Sequence, residues 1–223
     1  MIKTPHSTPS DDRLAQVRRV SPSAMRNRDP LLKVLRDVLP PSGQVLEIAS
    51  GTGEHAAYMA QNLADINWTP SDQDQGVRLA TSDWLAGQNL PNLHPLLNLS
   101  TTDARWAESA LVALGRAPQA LVCINMIHIA PWPACEGLFA GAQELLASGS
   151  LLFLYGPFAQ EGVLAPSNEA FDQWLKDQDP NWGVRALEDV CSVAAEHGFD
   201  LSQTIPMPAN NTSVVFIREA RAQ

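Results

Sequence analysis

Two short stretches of this 223-residue chain carry side chains able to do chemistry. The first is Glu47-Ile48-Ala49-Ser50-Gly51-Thr52-Gly53-Glu54-His55, an acid inside an aliphatic run followed by a turn of small residues. Such a turn lets the backbone bend sharply and come close to a ligand. The second is Asn125-Met126-Ile127-His128, directly after a run of apolar residues. His128 is the one histidine in a setting that suggests chemistry. Its ring could take a proton from a nucleophile or orient a ligand by a hydrogen bond, and a satisfied structural histidine is the alternative. Asp72, 25 residues after Glu47, is an acceptor-only carboxylate of the kind that receives both protons of a ribose diol. Its other possible role is to cap a helix starting at Gln75, and Asp74 competes with it for either role.

These residues need strands that end at one edge. Residues 45–48 read as a buried parallel strand, and from Glu54 the pattern turns helical, with Ala57, Met59, Ala60 and Leu63 on one side. Strand, glycine turn and helix N-terminus together make a nucleotide-type site. Further strands are expected at 66–72, 93–99, 120–124 and 150–155, with helices at 77–90 and 134–146 between them. A polar loop at 160–167 and a helix from Asn168 then lie past the sheet's carboxyl edge, placed to close over a substrate. A last helix stops at His197-Gly198, and two strands at 201–205 and 213–217 close the chain. Ahead of the first strand, residues 21–39 are helical, and Asp29-Pro30 inside the stretch resembles a cap and first helical position, which leaves one helix or two as the alternatives. Residues 1–20 are expected to be a flexible tail and 21–223 a single domain.

Composition narrows the function classes. The chain carries a net charge of −9 without a Lys/Arg cluster, which argues against nucleic acid as a partner. No apolar stretch approaches membrane-spanning length, so no membrane partner is expected. Cys123, Cys135 and Cys191 show no C-x-x-C spacing and read as reduced thiols of a cytoplasmic protein. The five histidines show no paired spacing, so no metal site is expected. Nothing in the sequence speaks to oligomeric state.

Two nucleotide-site patterns overlap on the glycine turn. Gly51-x-Gly53-x-x-Ala56 satisfies a dinucleotide fingerprint with Ala in third place, which keeps an NAD-linked oxidoreductase as the first alternative. Glu47-x-Ala49-x-Gly51-x-Gly53 resembles the first motif of class I S-adenosylmethionine (SAM) methyltransferases, with Ala49 in place of its first Gly. The acid inside the first strand and the terminal hairpin favour the second pattern. Ser21-Pro22 with Arg26-Asn27, V-L-E-I-A-S-G-T-G-E-H, W-x-P-S-D, N-M-I-H-I-x-P-W, Y-G-P-F, S-N-x-x-F-D-x-x-L, W-G-V-R and M-P-A-N-N further resemble a narrower, uncharacterised methyltransferase-like family of that superfamily, with bacterial and animal members.

The resemblance implies a Rossmann-like α/β fold: a mostly parallel seven-stranded sheet with an antiparallel C-terminal strand and helices on both faces. It implies SAM as cofactor and carries Glu47, Gly51, Gly53 and Asp72 onto it; Ala49, Ser50, His55, Asn98 and Asn125 are further candidates for contact with it. Asn98 stands where many relatives place an acid for the adenine amino group, with Asp103 as its rival and also a candidate helix cap. His128 and Asn125 are the catalytic candidates. Arg26, Asn27, Tyr155, Asn168 and Phe171 are the candidates for contact with a small-molecule substrate. Asn125 is followed by Met and Ile rather than Pro-Pro-Tyr, which argues against base or glutamine amide methylation. A non-catalytic binding protein of the same fold is the second alternative.

Overall fold

The computed structural model describes residues 21–220, and the expected tail at 1–20 lies outside the described residues. The first helix, α1 (Pro22–Val38), is capped by the Ser21 hydroxyl, which accepts the Ala24 N–H at 3.3 Å. It does not divide at Asp29-Pro30. Asp29 takes the Tyr58 hydroxyl at 2.5 Å instead of capping a second helix, and Pro30 stays inside α1. The backbone bond that Pro30 forfeits is outweighed by one continuous buried stripe, Leu31, Leu32, Val34 and Leu35.

Strands and helices then alternate: β1 (Gly43–Ile48), α2 (Glu54–Asn62), β2 (Ile66–Asp72), α3 (Gln75–Ala86), β3 (Leu97–Asn98), α4 (Trp106–Leu114), β4 (Ala120–Ile124), α5 (Pro133–Leu145) and β5 (Leu151–Gly156). An excursion follows, with β6 (Phe158–Ala159), α6 (Pro166–Gln178) and β7 (Arg185–Ala186), before α7 (Leu187–Glu196), β8 (Phe199–Met207) and β9 (Asn211–Arg218). The seven-stranded sheet has the order β3-β2-β1-β4-β5-β9-β8, and β9 runs antiparallel to both of its neighbours. All other pairings in that sheet are parallel, so the expected fold is the one observed. β6 and β7 pair with each other in a separate two-stranded parallel sheet.

Side-chain alternation sends the two faces of the sheet into two cores. Val45, Val122, Phe153, Tyr155 and Val215 face α1 and α2, whereas Leu46, Cys123, Leu154, Val214 and Phe216 face α4, α5 and α7. β3 is shorter than expected. Trp68 pairs with the backbone of Asn92 and His94, Pro95 brings no N–H to the ladder, and regular pairing resumes only at Leu97. The side-chain amide of Asn92 ties this segment to the end of α2 and the start of β2, donating to the carbonyls of Ala60, Leu63 and Ile66.

On the second face α4 and α5 pack closely through small residues. Trp106 donates its indole N–H to the Gly137 carbonyl at 2.9 Å, and a Cβ at Gly141 would fall 2.2 Å from the Trp106 ring. Gly141→Ala should therefore destabilise the fold by about 1–3 kcal/mol through overpacking. Urea denaturation with an unchanged m-value would measure the loss, and wild-type stability in the variant would refute the close packing.

Candidate functional site

Residues from the glycine turn gather where β1 and β2 end side by side. Glu47 is buried in the middle of this edge, and its carboxylate accepts the Trp68 indole N–H at 2.8 Å. Burial raises the Glu47 pKa to about 7, the Trp68 and Ser50 hydrogen bonds oppose that rise, and the nearby Asp72 charge adds to it. Ser71 ties the strands together, its hydroxyl donating to the Glu47 carbonyl at 2.7 Å and its N–H to the Ser50 hydroxyl at 3.2 Å. The Ser50 N–H returns to the Ser71 carbonyl at 2.8 Å.

Ala49 has φ 57°, the left-handed region that glycine adopts freely and alanine adopts at a cost of about 1–2 kcal/mol. The departure from the glycine pattern is thus a backbone strain at the turn. Gly53, at φ 75°, heads α2. A Cβ there would lie 2.7 Å from the Thr81 methyl and 3.0 Å from Leu85, so helix packing, rather than room for a ligand, demands the glycine. Gly51 differs: among the described residues a Cβ on it would meet nothing within 4 Å. Thr81 also holds the turn, donating its hydroxyl to the Gly51 carbonyl at 3.1 Å.

Asp72 and Asp74 divide the two roles between them. Asp74 caps α3, accepting the Val77 N–H at 2.8 Å. Asp72 is buried at the end of β2 and accepts the Gly51 N–H at 3.0 Å on one oxygen and the Asp74 N–H at 2.9 Å on the other. Asn98, paired with Asp72 across β2 and β3, is exposed at the same edge. Asp103 accepts the Arg105 N–H in the turn leading to α4.

Three ties strap the first turns of α1 onto α2. The Ser21 N–H donates to both Glu54 carboxylate oxygens at 2.9 and 2.8 Å, His55 Nε2 meets Asn27 Oδ1 at 2.8 Å, and Tyr58 meets Asp29. Burial pulls the His55 pKa down to about 4. The strap lies beside Tyr155, whose pKa burial raises while Asn27 and the Arg26 charge oppose the rise. Arg26 itself is exposed. The structure thus brings Arg26, Asn27, His55 and Tyr155 together on the α1–α2 side.

His128 lies on the opposite side of the sheet edge. It is 0% exposed, and among the described residues neither ring nitrogen makes a close hydrogen bond. A Cβ at Gly156 would fall 2.3 Å from its Nε2 and 3.4 Å from Asn125 Oδ1, and the Phe158 ring meets the imidazole edge-on at 5.0 Å. Burial, with the Arg185 charge adding to it and the nearby Gly183 backbone opposing it, lowers the His128 pKa to about 3, so the ring is neutral. Asn125 follows β4 at φ 64°, with its N–H on the Tyr155 carbonyl at 2.8 Å. Asn168 is buried and donates to the Asn210 carbonyl at 2.8 Å, fastening α6 to the β8–β9 turn. Phe171 stacks on Trp174, and the two are 37% and 53% exposed.

Sequence reasoning passed over Trp68, Ser71 and Arg185. Arg185 reaches back from β7 to the carbonyls of Ile127 at 2.9 Å and Ala130 at 2.7 Å, and its guanidinium lies over Trp132 at 5.6 Å. The W-G-V-R run contained it, but no local pattern says what an arginine will reach 55 residues away. Among the described residues no group of three or more His, Cys, Asp and Glu is placed to hold a metal ion, and no helix is long and apolar enough to cross a membrane.

The family described as "Protein of unknown function (DUF938)" matches residues 18–218. The chain belongs to the DUF938 family. Its fold is that of solved methyltransferases. An O-methyltransferase family protein from Burkholderia thailandensis superposes with a TM-score of 0.75 at 14% identity, covering 96% of this chain and 61% of its own. Human N-acetylserotonin methyltransferase, solved in complex with SAM, has a TM-score of 0.74 at 11% identity, with 94% and 56% covered. An O-methyltransferase family 2 protein from Planctomyces limnophilus, in complex with apigenin, has a TM-score of 0.68 at 16% identity, with 95% and 66% covered. This DUF938 chain therefore spans 56% to 66% of the length of these proteins, and at such identities the match shows the fold alone.

Glu47 gives the site a pH signature. Its folded pKa of about 7 lies above the ordinary 4.5, so between those values the folded chain keeps a proton that the unfolded chain has lost. Its stabilising contribution is full below 4.5 and fades as pH rises through 7. Glu47→Gln keeps an acceptor for Trp68 without the charge, so the variant should gain on the order of 2 kcal/mol over wild type between about pH 5 and 7. Urea titrations at both pH values measure it, and parallel stabilities would contradict the buried acid.

Proposed function

We propose that this DUF938 chain is a cytoplasmic SAM-dependent methyltransferase acting on a small molecule. The observation that carries the reading is the sheet order with β9 antiparallel between β5 and β8, combined with a glycine turn and a buried carboxylate at the ends of β1 and β2. The dinucleotide-binding alternative has a sixth strand continuing a parallel sheet in the order 3-2-1-4-5-6, an arrangement different from this one.

The residues at the turn fit SAM. Gly51 presents a backbone with open space in front of it. Each Asp72 oxygen accepts one backbone N–H and retains a lone pair, which suits it to receive a ribose hydroxyl. Asn98, exposed beside Asp72, is placed for an adenine edge. Glu47, Ala49, Ser50 and His55 would act by shaping the turn and the strap above it. When bound, SAM supplies a methyl group on a sulfonium, transferred by in-line displacement.

The chain's own contribution to that transfer is alignment and proton removal. Asn125 stands at the end of β4 beside the glycine turn, and its amide would orient the reacting groups. His128, neutral at working pH, would accept a proton from the substrate nucleophile once the segment over it lifts. Arg26, Asn27 and Tyr155 would border the substrate on one side, with Asn168 and Phe171 on α6 on the other. The apigenin bound by the Planctomyces limnophilus protein and the substrate named for the human enzyme support a small organic acceptor.

Two outcomes test this reading. Gly51→Ala, strained at φ 54° as Ala49 already is but able to stay folded, should weaken S-adenosylhomocysteine (SAH) binding by about 1–3 kcal/mol, because the added methyl enters the space assigned to the cofactor. Calorimetric titration measures this, and unchanged affinity would move the cofactor elsewhere. His128→Gln should lower methyl transfer by about 10²–10⁴ with SAH affinity preserved. Because the wild-type ring is already neutral, His128 should impose no rise in rate from about pH 5 to 8. A rate that climbs through the ordinary histidine range and flattens in the variant would contradict the buried geometry.

A further inference from the structure

His128 is enclosed by chain that comes from elsewhere in the sequence. Three parts of the excursion between β5 and α7 touch the loop after β4. Phe158 covers the imidazole edge-on, the Gly183 N–H donates to the His128 carbonyl at 3.0 Å, and Arg185 grips the carbonyls of Ile127 and Ala130 on either side. Arg185 also donates to the Asn181 carbonyl at 2.8 Å, so one guanidinium joins both segments. β6 and β7 pair with each other, which closes the excursion into a loop whose two ends both lie on His128.

A fully buried imidazole with neither nitrogen in a close hydrogen bond among the described residues gives this arrangement a purpose beyond packing. Burying a polar group without a partner is costly, and a purely structural position here would be served by an apolar residue. The site therefore keeps a polar ring ready under a cover. Asp172 reinforces the cover by accepting the Val184 N–H at 2.8 Å from α6.

We propose that Arg185 is a positioning residue for His128: it latches the residue 157–186 excursion to the His128 loop, so that the imidazole is reached only when the latch opens. Its relevance to methyl transfer rests on the function proposed above, but the latch itself does not. Lysine cannot replace it fully. An ammonium has three donors at one point but lacks the planar fork that spans the separated Ile127, Ala130 and Asn181 carbonyls while lying over Trp132.

Diethyl pyrocarbonate, which acylates accessible neutral imidazoles, reads the latch directly in the full chain without cofactor or substrate. Labelling rates at His128 and His55 are followed by peptide mass spectrometry. His55 lies on the other side of the sheet edge and gauges global loosening. In Arg185→Ala, His128 should label at least about tenfold faster while His55 keeps its wild-type rate, the change expected when a local opening loses one or two hydrogen bonds. Arg185→Lys should fall between variant and wild type. An unchanged His128 rate, or a rise shared equally by His55, would overturn the latch. Should the Ala variant fail to fold, the Lys variant decides alone: selective acceleration at His128 supports the proposal and its absence overturns it. Separate titration of wild type with SAH shows whether the cofactor reading holds, and its failure would leave the labelling result standing.

Discussion

Two buried carboxylates, Glu47 and Asp72, set the conditions at the edge where β1 and β2 end. Neither can be left unpaired out of water. Glu47 obtains the Trp68 indole, and Asp72 obtains the N–H groups of Gly51 and Asp74. In satisfying them the chain fixes the path of the glycine turn, because Gly51 must point its N–H at Asp72 and Ser50 must pair with Ser71. The strained Ala49 is held by the same contacts. The geometry of the turn is therefore a consequence of charge burial as much as of glycine content.

The edge so formed has two sides, and β5 separates them by simple alternation. Tyr155 faces α1 and α2, where Asn27 and His55 meet, and Gly156 faces the other way, where its missing side chain admits His128. One strand end thus supplies a phenol to one side and a vacancy to the other. α1 straps the first side through Ser21, Asn27 and Asp29. The β6–β7 excursion covers the second through Phe158, Gly183 and Arg185.

Strands, glycine turn and the closing hairpin were legible in the sequence because apolar runs and glycines report local constraints. The continuity of α1 through Pro30 was not, because tertiary burial of Leu31 and Leu35 outweighs a local helix breaker. β3 was read too long, since a run of apolar residues does not reveal that Pro95 interrupts the ladder. Asp72 and Asp74 are two residues apart and chemically equivalent on paper, and only the cap on Val77 and the bond to Gly51 tell them apart. The reason for Gly53 was hidden for the same cause, since Thr81 and Leu85 reach it from another helix. For His128 the residue type was visible in the sequence, while its complete enclosure depends on Phe158 and Arg185 far along the chain.

In this structure the glycine turn and Asp72 are proposed to hold the adenosyl group of SAM rather than a dinucleotide. Calorimetric titration of the full chain with SAH, beside a parallel titration with NAD, tests it most directly. One SAH per chain should bind saturably, and NAD should give no heat. Saturable binding of NAD with no response to SAH would contradict it.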